Sequence, residues 1–93
     1  MTNSDWTSTL TSGAGGVTTE EAGQVEGDIT IRTFWSGVGK RALVTVRAAG
    51  GDDWYTVSGS PVEATTEEAG QAVHDATVAA ARQGGGAKVS PLD

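Results

Sequence analysis

Two neighbouring stretches of alternating side chains constrain this chain more than any other feature. In residues 28–35, Ile29, Ile31, Thr33 and Trp35 fall on one side and Thr30, Arg32 and Phe34 on the other. In residues 41–48, Ala42, Val44 and Val46 alternate with Leu43, Thr45 and Arg47. Period-two alternation is the signature of a strand with one buried face. The intervening Ser36-Gly37-Val38-Gly39 reads as a turn, so the two stretches are expected to pair as an antiparallel hairpin. Opposing Trp35 to Lys40 sets Ile31 against Val44, Ile29 against Val46 and Asp28 against Arg47. A slip of one residue would bring Arg47 beside Ile29 on the apolar face. Gly50-Gly51-Asp52-Asp53 reads as a second turn into a third strand over residues 54–58. That strand adds Tyr55 and Val57 to the apolar face and Trp54 to the opposite one.

The periodicity then changes. Residues 66–83 carry a helical pattern, with Thr65 or Thr66 as N-cap and a Thr65–Glu68 capping-box spacing. Glu67 and Glu68 lie at the positive end of the helix dipole, and Gly84 is the natural stop. Ala69, Val73, Ala76 and Ala80 form the expected buried stripe, with Ala72 beside it. The fold class read from these elements is α+β. It is a three-stranded antiparallel sheet (residues 28–35, 41–49 and 54–58) packed on one C-terminal helix. Residues 1–26, rich in Ser, Thr and Gly around Trp6 and Leu10, read as a polar N-terminal arm, and residues 85–93 as a tail. Residues 27–84 are the expected domain.

Composition bounds what such a domain can do. Leu, Ile, Val and Phe total 16 of 93 residues, below the roughly 20% of well-packed chains, so the core must be small. No apolar run approaches the roughly 18 residues of a membrane span, and no basic segment followed by an apolar one marks a signal peptide. A cytoplasmic or virion location is the expectation. With no Cys, neither a disulfide nor a Cys-ligated zinc site can form. The net charge is −6, and it is uneven. Residues 1–26 carry −4, residues 27–51 carry +3 and residues 52–93 carry −5.

Thr18-Thr19-Glu20-Glu21-Ala22-Gly23-Gln24 recurs as Thr65-Thr66-Glu67-Glu68-Ala69-Gly70-Gln71. Upstream, Asp5-Trp6 recurs as Asp53-Trp54. Either a strand-then-helix unit has been partly duplicated, or Thr-Thr-Glu-Glu-Ala is used twice as a common helix start. Both leave a short helix near residues 18–24 as an expectation.

No catalytic constellation emerges. Gly37-Val38-Gly39-Lys40 lacks the first glycine and the Ser or Thr of a phosphate loop, and a strand follows it. His74 is expected at a surface or boundary position. Its neighbour Asp75 cannot orient it from the next helical position, and no Ser or Cys has an expected place beside it. Asp52-Asp53 lacks the alternating oxygen ligands of a calcium loop. No cofactor, metal or enzymatic activity is therefore expected.

The sheet face opposite the helix draws the functional reading. It gathers Phe34, Leu43 and Trp54 with Arg32, Arg41 and Arg47, and exposed apolar groups beside arginines mark interfaces. Either the arm folds back over this face, with Trp6 and Leu10 as anchors, or another protein covers it. The expected function is a non-catalytic protein-interaction or assembly module, such as a small structural subunit of a homo-oligomer or viral assembly. The order of elements over about residues 28–83 also resembles the arm-binding domains of phage-type integrases and, more loosely, double-stranded RNA-binding domains. That resemblance implies nucleic acid read by Arg32, Arg41, Arg47 and Trp54. The acidic helix start at Glu67 and Glu68 departs from the lysines of the RNA-binding family.

Overall fold

In the computed structural model, which describes residues 2–90, the expected hairpin, third strand and C-terminal helix are present and further strands join the sheet. β1 (Asn3–Thr11), β4 (Asp28–Ser36), β5 (Arg41–Ala48) and β6 (Tyr55–Thr56) form an antiparallel sheet in that spatial order, with β7 (Val62–Glu63) also paired to β5. A separate hairpin joins β2 (Val17–Thr19) to β3 (Gly23–Val25). The helix α1 (Glu67–Gln83) crosses one face of the sheet, over β4 and against β1 and β5. The fold is α+β, with more strands than the three read from the sequence.

The strand assigned to a polar arm is β1. Its nine residues pair along the whole of β4, from Asn3 opposite Ser36 to Thr11 opposite Asp28. Its inward positions are Ser4, Trp6, Ser8 and Leu10. Only Leu10 is fully buried, and Trp6 packs half-buried against the core. Both anchors therefore lie on the helix side of the sheet. The arm extends the sheet sideways instead of folding over its outer face.

The hairpin register differs from the expected one by two residues. Trp35 faces Ala42, Thr33 faces Val44, Ile31 faces Val46, and Thr30 rather than Asp28 faces Arg47. The loop keeps four residues but moves one along the chain, from the expected 36–39 to 37–40. The Lys40 amide donates to the Ser36 carbonyl at 2.8 Å, and Lys40 itself takes a left-handed φ of 53°. A two-residue slip leaves every side chain on its own face, so Ile29, Ile31, Val44 and Val46 are buried as expected. The third strand is shorter than residues 54–58, with Val46 facing Tyr55.

The buried stripe of α1 is rotated from the alanines. Gly70, Val73, His74, Thr77, Val78 and Ala81 face the sheet, whereas Ala72 and Ala76 are exposed and Ala69 and Ala80 half-buried. Gly70 explains part of this. A Cβ there would lie 3.0 Å from Cβ, Cγ and Cδ1 of Trp35, so the glycine lets the helix seat on the indole. Thr66 is the N-cap, accepting from the Ala69 amide at 3.1 Å. The Thr65–Glu68 box does not form. Gly84 closes the helix at φ 81°, its amide donating to the Ala80 carbonyl.

The repeated heptad has two conformations. Residues 65–71 cap and begin α1, as expected. Residues 18–24 form no helix and instead make the β2–β3 hairpin, turning through residues 20–22 into Gly23 with φ 66°. The hairpin is held from outside: Val17 bridges to Ala87, Thr19 to Val57, and Val17 is completely buried. The expected tail is likewise part of the fold. Val89 is buried and its amide donates to the Ser58 carbonyl at 2.9 Å. The tail beyond residue 90, including Pro91, lies outside the described residues.

Candidate functional site

The pleat decides which side chains share the outer face. Because Ile29 and Ile31 point to the helix, Thr30, Arg32 and Phe34 point away, and the same alternation carries Arg41, Leu43, Thr45 and Arg47 out on β5. β4 and β5 place Asp5, Phe34 and Leu43 in one row, Thr7, Arg32, Thr45 and Thr56 in the next, and Thr9, Thr30 and Arg47 in a third. Trp54 stands just before β6 beside Arg47. All six residues singled out from the sequence on this face (Arg32, Phe34, Arg41, Leu43, Arg47 and Trp54) thus share it. Phe34 is 40% exposed, Leu43 37% and Trp54 37%.

They form two apolar sites rather than one broad patch. Phe34 and Leu43 are direct cross-strand neighbours, and the Arg32 guanidinium lies 4.3 Å from the Phe34 ring centre. Two rows along, the Arg47 guanidinium lies 4.8 Å from the Trp54 ring centre. The row of Arg32 and Thr45 separates them. Beside Phe34 and Leu43 the surface dips into an open cleft of about 430 Å³ whose walls include Asn3, Asp5 and Arg41. Arg32 also makes the one ion pair among the described residues, its Nη2 2.9 Å from Asp5 Oδ2.

The arm carboxylates that could neutralise these arginines, Glu20, Glu21 and Glu26, are used elsewhere. Glu20 accepts from Ser58 Oγ at 2.7 Å, and Glu26 from the Gly15 amide at 2.6 Å. Glu21 accepts from the Thr56 amide at 2.7 Å and from its hydroxyl at 2.9 Å. These bonds to the backbone and hydroxyl of Thr56 hold the Glu21 carboxyl below its ordinary pKa of 4.5. In their place, Asp5 pairs with Arg32 and Glu63 stands opposite Arg41, and Asp28, on the same face, accepts from the Thr11 hydroxyl. The face is close to neutral although the central third of the sequence is basic.

The second candidate lies between the layers. His74, expected near the surface, is 3% exposed. Its Nε2 is 2.8 Å from Ser8 Oγ and its Nδ1 2.8 Å from Thr33 Oγ1. A serine does sit beside the histidine, then, supplied by β1, the segment expected to be an arm. Burial pushes the imidazole below its ordinary 6.5, against the opposing pull of the Asp75 carboxylate. The third member is a neutral hydroxyl on a fully buried Thr33. It can orient the ring, but it lacks the charge with which a carboxylate stabilises an imidazolium. No buried side-chain polar atom among the described residues lacks a partner, so the group is a closed hydrogen-bond network joining β1, β4 and α1.

No family model, curated protein or solved structure matches this chain. Its one helix among the described residues is not long and apolar enough to cross a membrane.

Proposed function

We propose that this chain is a non-catalytic assembly module whose outer sheet face packs against protein, in a homo-oligomer or as a small subunit of a larger assembly such as a virion. The observation that carries the reading is the pairing of two exposed apolar sites, Phe34–Leu43 and Trp54, each with an arginine stacked on it. Aromatic and Arg side chains ringed by polar groups are the usual anatomy of a protein interface. Thr7, Thr45 and Thr56 lie in the row between them, beside the ion-paired Arg32. With carboxylates interleaved among the arginines, identical faces can meet without net repulsion.

The same interleaving weighs against nucleic acid. Affinity for a phosphate backbone rises with each uncompensated Lys or Arg. Here there are three arginines, two of them stacked on rings and one of those also paired to Asp5, on a protein of net charge −6. The absence of catalysis is supported by the Ser8–His74–Thr33 network, in which a neutral Thr33 hydroxyl stands where a carboxylate would be needed.

The test is molecular mass in solution, with and without duplex DNA at low salt. The reading expects association of the protein that Trp54→Ala weakens while helix content stays the same, and no mass increase with DNA. A monomer that binds DNA tightly, with strong salt dependence lost in Arg32→Ala and Arg47→Ala, would overturn it. So would a turnover abolished by His74→Ala.

A further inference from the structure

The free edge of the sheet is organised as the outer face is not. The Gly37 amide donates to the Thr2 carbonyl at 2.9 Å, and the Ser12 amide to the Gly27 carbonyl at 2.8 Å. Both bonds join even-numbered residues of the first strand's line to β4. Hydrogen bonding alternates along an antiparallel pair, so Ser4, Trp6, Ser8 and Leu10 are the residues of β1 bonded to β4. Asn3, Asp5, Thr7, Thr9 and Thr11 therefore point their amide and carbonyl groups away from the sheet. No other described segment reaches any of these groups. The edge carries no Pro and no Lys or Arg, the usual means of blocking one. The opposite edge is different. There only the two-residue β6 and β7 lie beyond β5, and the Thr56 amide is taken by Glu21.

We infer that β1 pairs antiparallel with β1 of a second copy of this chain, about a two-fold axis at Thr7, to make one sheet continuous through both copies. This surface is separate from the outer face and does not depend on the reading given to it. The argument for a second copy is self-complementarity. With the axis at Thr7, all nine residues of β1 overlap. Thr7 meets Thr7 of the other copy, Asp5 meets Thr9, and Asn3 meets Thr11. Each of these pairs joins two outward-bonding residues, so every free amide and carbonyl on the edge finds a partner. Asp5 is the strand's one charge. The two-fold sets it opposite a threonine, away from its own copy, and Arg32 already neutralises it. On the helix side, half-buried Trp6 meets Ser8. The outer faces of both copies then lie on one side of the joined sheet.

The test is mass by sedimentation over a concentration series, on the wild type and three variants. The Thr7 amide takes no part in bonding to β4, so Thr7→Pro removes an edge donor and leaves the pairing within the chain. Thr7→Lys and Thr7→Asp place like charges directly across the axis. In a Trp54→Ala background, which removes association through the outer face, the protein is expected to be a dimer and Thr7→Pro a monomer with an unchanged circular dichroism spectrum. Thr7→Lys and Thr7→Asp should each dimerise about tenfold more weakly or worse, and an equimolar mixture of the two should recover the dimer. If Thr7→Pro does not fold, the Lys and Asp pair decides. A wild type that stays monomeric up to about 1 mM would overturn the inference. A dimer insensitive to all Thr7 variants but lost in Trp54→Ala would also overturn it, assigning association to the outer face alone.

Discussion

Replacing Gly70 by Ala sets two effects of known sign against each other. Gly70 is in the second turn of α1, in ordinary helical geometry, where Ala is favoured over Gly by about 1 kcal/mol on propensity alone. Against this, the new methyl would lie 3.0 Å from three atoms of Trp35. One of the three is Cβ, which cannot move without the backbone of β4. The indole is held too: Nε1 donates to the Ala64 carbonyl at 2.8 Å, and Trp35 is 8% exposed. Overpacking in a fixed setting costs about 1–3 kcal/mol. The steric cost wins, leaving Gly70→Ala less stable by about 1 kcal/mol, or roughly 4–8 °C in Tm for a domain of this size. Urea unfolding followed by circular dichroism measures it, with Ala72→Gly on the exposed side of α1 as the control for propensity alone. An unfolding midpoint for Gly70→Ala at or above the wild type would refute the claim that helix and sheet meet closely at Trp35.

Val44→Ala, in the completely buried centre of β5, should cost about 1–3 kcal/mol by the same urea assay. Gly23→Ala meets no atom within 4 Å but must hold φ at +66°, so it should cost about 1 kcal/mol from backbone strain alone. Because burial lowers the pKa of His74 in the fold, the unfolded chain binds the extra proton first. The stability from the neutral imidazole is complete above the unfolded value of about 6.5 and is lost as pH falls toward the folded one. Thermal melts between pH 8 and pH 5 should record that decline (about 6.5 as its upper limit) in the wild type. A His74→Gln variant with the same decline would contradict the assignment. Asp5→Asn, which breaks an ion pair on the surface, should change stability by only about 0–1 kcal/mol.

The two long strands and the helix were legible because their apolar periods are strong. Their bounds agree with residues 28–35, 41–49 and 66–83 to within one residue. Register was a different matter. The argument from faces excludes a slip of one residue but is blind to a slip of two, and the displacement of the four-residue turn by one position, to 37–40, supplied that slip. β1 escaped notice because three of its four inward residues are Ser or Trp and half-buried, so alternation of hydroxyls replaces alternation of hydrocarbon. The helix face was misplaced because alanines mark a stripe weakly. Two of the residues that face the sheet, His74 and Thr77, are polar and enter the interior through hydrogen bonds, Thr77 to the Val73 carbonyl at 2.8 Å. The outer-face residues were legible from alternation alone. The Ser8–His74 contact was not, since it depends on a strand whose only inward apolar residues are Trp6 and Leu10. Identical heptads with different folds show the limit from the other side. Local preference starts α1 at Thr66, but at Thr18 the flanking partners Val57 and Ala87 impose a hairpin.

The central claim is that the outer face meets protein and not nucleic acid, and its three tryptophans allow a direct measurement. With 5-fluorotryptophan incorporated, Trp6, Trp35 and Trp54 give three fluorine resonances, assigned by single Trp→Phe variants. Trp35 is the buried reference, Trp6 reports on the β1 edge and Trp54 on the outer face. The account predicts that the Trp54 resonance moves as protein concentration rises, that Trp35 stays in place, and that duplex DNA at low salt shifts none of the three. A Trp54 resonance indifferent to protein concentration, but moved by DNA and restored by salt, would contradict it.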